Sequence, residues 1–392
     1  MTQNKNKYIF NYTKQIEIKK SSNLIIKTVT NIKSFRDFYN VALKVYSDNK
    51  YWVPPFWSET IGFFKAKELF WKHSESILFV AYKNNKPVGR VAAFIDNLFL
   101  DSKGKKIGFF GFFECINDYE IASSLLNEAE KWLKSKNIKV MQGPINGRAD
   151  IGSGFVTEGF NHLPYLIGHY SQPYYVNFAE KYNLKKSIDL LSYHIDLTKP
   201  IPKKLEESAK RCEKNGITIR NFNRFKFKKE LKWWLKMFME EFADHWGYTP
   251  VPLKEVKTRF GIKQLRWIVD PKLFLVAELD GKPIGFRWTL PDYNQLFKNM
   301  NGKLGIIGAL SVLFNRRKIN RGRFIVMGIK KDHRGKGIGS CMNYYNLLEM
   351  KKRNYTTAEY GWIVEDNIAS IKAGEKIGGQ LYKSYRVYEK KI

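Results

Sequence analysis

Cysteine is scarce: Cys115, Cys212 and Cys341 are the only three in 392 residues, far apart and odd in number. That argues against a disulfide framework or a zinc-type spacing and fits a reducing, cytosolic setting. Six histidines are scattered with no pair at helical spacing, so no metal is expected. Acidic residues are also few, with 37 Asp and Glu against 68 Lys and Arg, a formal charge of +31. Such an excess points to a polyanionic ligand, a nucleic acid or an anionic membrane, or else to lysines spread over solvated faces. No apolar run approaches the ~18 residues of a spanning helix. The longest, Leu304 to Phe314, is too short to cross a bilayer. The polar opening, MTQNKNKYIFNYTKQ, is not expected to act as a secretory leader.

What the chain does contain is enough apolar residue, 44%, for a substantial core, and enough length for two domains. Residues 1–22 are polar and lysine-rich and are expected to be a mobile arm. Leu24 to Ile26 then reads as a strand, and Ser34 to Tyr46 as a helix with apolar residues at helical spacing. Ile77 to Ala81 and Val88 to Ile95 read as a hairpin across Asn84-Asn85-Lys86-Pro87. Lys106 to Glu114 is another strand, Ile121 to Leu133 an amphipathic helix, and Val140 to Ile145 a buried strand. A glycine-rich excursion, Gly147 to Gly168, is long enough to be functional or lid-like. Tyr174 to Tyr182 is helical, and Ile188 to Ile195 ends this half as a strand.

After Pro200 and Pro202 the pattern restarts. FVAYKNNKPVGR, from Phe79, aligns with LVAELDGKPIGF, from Leu275, 196 positions later. Leu24 to Lys27 sits against Ile217 to Arg220 at 193, and Glu180-Lys181 against Glu375-Lys376 at 195. This is an internal duplication, with copies over residues 23–200 and 201–392. In copy two, an apolar run from Phe324 leads through a polar turn to Arg334-Gly-Lys-Gly-Ile-Gly339 and a helical pattern from Cys341 to Lys352. A helix N-terminus leaves amides without partners and carries positive character, and glycines let a phosphate approach them. The expected use is a pyrophosphate cradle. The P-loop and dinucleotide patterns do not fit. Copy one has Cys115-Ile-Asn-Asp-Tyr-Glu120 at the matching place, with no glycine, so only copy two is expected to bind there.

The spacing Arg334, Gly337, Gly339 resembles the acyl-CoA pyrophosphate loop of the GNAT (Gcn5-related N-acetyltransferase) superfamily. The chain as a whole is similar to a tandem-GNAT group of bacterial proteins. The shared runs are IGFFGFFECIND (107–118), GPIN (143–146), PYY (173–175), HWGYTP (245–250), LPDYNQ (290–295), RGKGIG (334–339), WIVEDN (362–367) and GEKIGGQLYKSYRVYEK (374–390). Bacterial ceramide synthase, which acylates a sphingoid base from acyl-CoA, is similar to this group. The resemblance implies an α/β fold of two tandem GNAT domains, mixed sheets flanked by helices. It implies acyl-CoA or acetyl-CoA as substrate and an amine as acceptor. Gly328, Ile329 and Lys330 would hold the pantetheine arm. Arg334, Gly335, Lys336, Gly337, Ile338, Gly339 and Ser340 would hold the pyrophosphate. Asn367 matches an asparagine that often faces CoA, although Asn and Asp are also favoured helix caps. One departure stands out: the family's thiolate-protonating tyrosine is Gly374 here and Ala179 in copy one. Either Tyr382 or Tyr385 substitutes for it, or water does, or the chain is not an enzyme.

Amine acylation needs a base, because an ammonium with pKa about 10.4 is not a nucleophile. It also needs a donor for the developing oxyanion, for which the backbone N–H groups of Met327 to Ile329 are placed. Candidate bases are Glu359 first, whose strand pattern sets a carboxylate beside apolar neighbours, then Glu365, with His245 of HWGYTP and Asp244 just before it. For each, a solvated strand end or an ion pair with lysine is the plain alternative. The apolar run Leu304 to Phe314 is followed by Asn315-Arg-Arg-Lys318, Arg321 and Arg323. That suits an anionic membrane surface at the inner face, an acyl-chain mouth, or a short core helix. A Fem-type transfer from aminoacyl-tRNA, which would use the positive charge, and a non-catalytic acyl-CoA binder stay open.

Overall fold

The computed structural model describes residues 7–21, 23–101, 104–259 and 269–392. Residues 1–6 and 22 of the expected polar arm lie outside the described residues. The rest of that arm is not loose. Ile9–Tyr12 forms a short helical turn, and Phe10 is fully buried and stacked on Phe35 at 4.9 Å. Glu17–Lys19 pairs with Ile25 to Lys27 as an edge strand. The aromatic residue, not the polar average, decides the outcome here.

Two compact units make up the described chain. Of the described residues, the first contains those within 1–189, 297–311 and 385–392, and the second those within 190–296 and 312–384. The strands are β1 (Glu17–Lys19), β2 (Leu24–Thr28), β3 (Ser74–Lys83), β4 (Lys86–Asp96), β5 (Gly108–Cys115), β6 (Val140–Gly143) and β7 (Phe155–Glu158). They continue as β8 (Lys185–Asp196), β9 (Ile217–Asn221), β10 (Phe274–Leu279), β11 (Lys282–Pro291), β12 (Arg321–Ile329), β13 (Thr357–Val364) and β14 (Gln380–Lys391).

In the first unit the order is β1-β2-β3-β4-β5-β6, with the end of β14 antiparallel to β6, Tyr388 opposite Gly143. In the second unit it is β9-β10-β11-β12-β13, with the end of β8 antiparallel to β13, Tyr193 opposite Tyr360. Neighbours are antiparallel except β5/β6 and β12/β13, which are parallel. The hairpin β3–β4 turns through Asn84 and Asn85, both at positive φ, a conformation that asparagine tolerates better than most residues. Its partner hairpin β10–β11 uses Asp280-Gly281 in the same way.

Helices cover the sheets by amphipathic pattern. Ile32–Val45 starts with a capping box, Asn31 with Ser34, and buries Phe35, Phe38, Tyr39, Val41 and Ala42. Tyr119–Ser135 buries Ile121, Leu125, Ala129 and Leu133 on the first unit's core. In the second unit Ile338–Lys352 places Ile338, Cys341 and Met342 on a core shared with Ala209 and Cys212. The three cysteines are free and buried.

Candidate active site

The parallel ladder between β12 and β13 runs from Arg321 opposite Thr357 to Phe324 opposite Tyr360. Both strands continue beyond it, β12 to Ile329 and β13 to Val364. The cause is visible on the other side of β12. Its pairing with β11 shifts between Trp288 and Thr289, so that Ile325 is an extra residue. Such a bulge bends and twists its strand. The bent end of β12 leads directly into the glycine-rich turn.

That turn leaves a helix start open. Gly335 and Gly337 have φ of 77° and 81°, the left-handed region that glycine enters without strain. Gly337 is the N-cap of Ile338–Lys352 and supplies no side-chain acceptor. The amides of Ile338, Gly339 and Ser340 therefore open the helix with no intrahelical partner. Ile338 is buried and anchors the turn, while Lys336 is exposed. A Cβ at Gly328 would strike the Phe286 ring at 2.6 Å, so a side chain there requires that ring to move, whereas one at Gly339 would press the end of Met327 at 3.1 Å and needs only a small shift of it. Lys330 donates its N–H to the Ile284 carbonyl and projects outward. Arg334 spans the turn, with Nε on the Ile329 carbonyl at 3.0 Å and Nη2 on Glu241 at 2.5 Å. Lys376 Nζ donates to Ser340 Oγ at 2.9 Å. A second cation at a positive helix end is unfavourable alone and favourable with an anion present. Sequence reasoning missed Lys376 as a loop residue, although the repeated Glu-Lys pair had marked its position.

Copy one is built differently at the equivalent place. Gly89 opposes Cys115 as Gly285 opposes Ile329, so β5 and β12 correspond. The helix after β5 is capped by Asp118, whose carboxylate accepts from the Glu120 N–H and pairs with Lys83 at 2.7 Å. The gap between β5 and β6 is closed by the chain itself. Ile145 N–H donates to the Phe110 carbonyl at 2.7 Å, and Phe112 N–H to Asn146 Oδ1 at 2.6 Å. Nearby, Glu114 accepts from Tyr46 at 2.7 Å and from Tyr175 at 2.9 Å, with Arg90 at 3.8 Å. Burial raises the Glu114 pKa, against the lowering by Arg90 and the two tyrosines.

In unit two Glu359 is buried and engaged on both oxygens. Oε1 faces Arg323 Nε at 2.8 Å, and Oε2 accepts from Tyr382 Oη at 2.5 Å. Arg323 and Glu359 are opposite one another in the β12/β13 register, where copy one has Phe109 and Gln142. Lys383, fully buried next along β14, has its pKa lowered to about 8, by burial first and then by Arg321 and Arg323, with Glu359 opposing. Gly374 lies against Tyr360: a Cβ there would meet the ring at 3.0 Å, so any side chain at this position would start in tight contact with that ring.

The other candidates are dispersed. Glu365 ends the strand β13 region, half-buried. His245 stacks on Phe242 at 4.6 Å; desolvation of its ring and the charge of Arg334 lower its pKa. Asn367 caps Ile368–Lys376, its Oδ1 accepting from Ser370 N–H at 3.0 Å. Tyr385 belongs to the first unit, where it is buried against His169 at 4.7 Å. Tyr382, its alternative, is the one held by Glu359. Among the described residues no group of three or more His, Cys, Asp or Glu is placed to hold a metal.

Residues 231–378 match the model of the Acetyltransferase (GNAT) family. The chain carries a GNAT domain. The match spans β10 to β13, the glycine-rich turn and Gly374. The whole fold is that of a tandem GNAT protein. It is similar to a tandem GNAT protein from the clavulanic acid biosynthesis pathway, at 11% identity and a TM-score of 0.56, covering 94% of this chain and 98% of that one. It is also similar to the GCN5-related glucosamine N-acetyltransferase region of a fungal multi-domain GH3 β-N-acetylglucosaminidase (16% identity, TM-score 0.59), covering 95% of this chain and 38% of that one. Among curated proteins, Protein YghO of Escherichia coli is 29% identical over 94% of this chain and 95% of its own length. Bacterial ceramide synthase of Caulobacter vibrioides is 27% identical over 94% of this chain and 96% of its own.

Proposed function

We propose that this chain is an acyl-CoA-dependent N-acyltransferase whose donor site lies in the second unit and whose acceptor is a lipid amine of the sphingoid-base class. The observation that carries the donor reading is the early end of the β12/β13 ladder at Phe324 and Tyr360, directly before an uncapped, glycine-lined helix N-terminus. Strand backbone left without a neighbour suits an extended amide-bearing arm, by the same hydrogen bonding that adds a strand to a sheet edge. The amides of Ile338 to Ser340, with Lys376 beside Ser340, suit the pyrophosphate at the end of that arm. The acceptor class draws support from the full-length likeness to bacterial ceramide synthase.

In the transfer, the amine nitrogen bonds to the thioester carbonyl carbon, the carbon–sulfur bond breaks, the amine gives up a proton, and CoA leaves as a thiolate that takes one up. Glu359 is 1% exposed, so no substrate amine meets it directly. Tyr382 is half-buried and hydrogen-bonded to it, so a proton reaching Glu359 passes through the Tyr382 hydroxyl. In this reading Tyr382 is the group that touches substrate and Glu359 the one that positions and backs it. Arg323 holds Glu359 in place through their buried ion pair. Asn367 serves as a helix cap.

The test is turnover. The full-length protein is incubated with acetyl- and long-chain acyl-CoA and a panel of amines that includes sphingoid bases, and products are read by mass spectrometry. An N-acylated sphingoid base is the expected product. Acylation of other amines only would overturn the acceptor class. A second reading, a non-catalytic acyl-CoA binder, is favoured by Gly374, and CoA binding without any product would establish it.

A further inference from the structure

The run Leu304 to Phe314 is not a core helix. Ile306–Asn315 forms a ten-residue helix. Its apolar side chains Ile306, Leu310, Leu313 and Phe314 are spaced i, i+4, i+7 and i+8, which puts them on one face. In most surface helices that face is turned to the core. Here it is turned to solvent: Ile306 is 82% exposed, Phe314 75%, Leu313 53% and Leu310 47%. Leu304, just before the helix, adds 47% exposure to the same stretch. A patch of this kind marks an interaction surface.

The charge around the patch selects the occupant. From Tyr293 to Lys331 there is no Asp or Glu at all. The helix runs directly into the turn Arg316–Lys318, three exposed cations in a row, and Lys303 is exposed at its other end. Two copies meeting through this face would bring the two cationic rims together, because an isologous contact sets a patch against itself. A ten-residue helix is about 15 Å long, half the hydrocarbon thickness of a bilayer, so it does not span. No described helix is long and apolar enough to cross a membrane. An apolar face with a basic rim matches the boundary between acyl chains and anionic headgroups.

We infer that Ile306–Asn315 is a membrane-docking helix that lies in the interface of an anionic bilayer, with Leu310 and Phe314 among the lipid and Arg316, Arg317 and Lys318 at the headgroups. This inference is independent of the acyl-transfer reading, since docking needs no substrate. The experiment uses the full-length protein with phosphatidylcholine vesicles, with and without phosphatidylglycerol, and follows co-sedimentation. Wild type is expected to partition onto the anionic vesicles and less so at high salt. The exposed double variant Leu310→Glu/Phe314→Glu, which leaves the core intact, is expected to partition at least about tenfold less. In a second measurement Phe314→Trp should shift its emission to the blue with anionic vesicles relative to buffer. CoA binding, measured in parallel, should be equal in all variants. The inference is overturned if the double variant binds vesicles as wild type does, which would place the attraction on other lysines. It is equally overturned if wild type ignores vesicles, or if wild type is a dimer that the double variant dissolves.

Discussion

Asp118 and Gly337 stand at the same station in two copies of one fold, each at the helix start that follows the corresponding strand β5 or β12. A carboxylate cap satisfies the helix end from within and repels an anion. A glycine at φ 81° leaves the amides open and brings no charge. The same contrast is repeated in the strands ahead. Copy one seals its β5/β6 gap with Ile145 and Asn146, whereas β12 and β13 part after Phe324 and Tyr360. Each copy even holds a tyrosine–glutamate–arginine trio. In copy one the tyrosine and arginine, Tyr46 and Arg90, are buried and Glu114 is partly so; in copy two the tyrosine, Tyr382, is half-exposed while Glu359 and Arg323 are buried. Under the proposed function one copy stabilises and the other binds, and the difference between them lies in whether the helix start and the strand gap are filled from within the protein.

The trios give the largest expected contrast. Tyr382→Phe should lower kcat by about 10²–10⁴-fold with CoA affinity unchanged, as removal of a positioned proton-transfer group does. Tyr46→Phe should leave kcat alone and lower stability by about 1–3 kcal/mol, the effect of losing a buried hydrogen bond to a charged group. Steady-state kinetics and urea unfolding of both variants separate the two roles; equal kinetic effects would erase the contrast.

Next comes the loop. Gly337→Glu forces a side chain into the left-handed region and sets a negative charge at the anion site. It should weaken CoA binding on the order of a hundredfold. The reciprocal change, Asp118→Ala, should leave CoA binding as it is and lower stability by about 1 kcal/mol through the lost cap. Calorimetric titration reads the first and thermal unfolding the second.

A pH effect should trace to unit two. Burial lowers the Lys383 pKa in the folded chain to about 8, from its ordinary 10.5. Below about 8 both folded and unfolded chains hold its proton. Between the two values the unfolded chain binds a proton that the folded chain has released, so stability rises with pH. Relative to Lys383→Met, wild type should gain up to about 1.4 kcal/mol per pH unit through that window. A flat difference between the two unfolding curves would contradict this. The smallest effect belongs to Asn367: Asn367→Asp should keep the cap and thus stability, and Asn367→Ala should lose about 1 kcal/mol, with CoA affinity nearly constant in both.

Much of this was legible in the residues. The offset of about 196 positions exposed the duplication, and the absence of glycine from Cys115 to Glu120 already separated the copies. Strand and helix positions followed from period and turn residues such as Asn84-Asn85. What stayed hidden depends on contacts between distant residues. Glu359 reads as an alternating strand carboxylate, and only the β12/β13 register reveals that Arg323 holds it. Gly374 reads as a missing acid, and only packing shows how closely Tyr360 lies against it. The helix Ile306–Asn315 declares an apolar face by spacing, but spacing does not say whether that face meets core or water. Phe10 pins a segment whose average composition is that of a loose arm.

Under the proposed function one copy binds CoA and the other does not. Calorimetric titration of the full-length protein with CoA tests it most directly through the stoichiometry. One CoA per chain, lost in Gly337→Glu and retained in Asp118→Ala, is the predicted result. Two per chain, or one that survives Gly337→Glu, would contradict it.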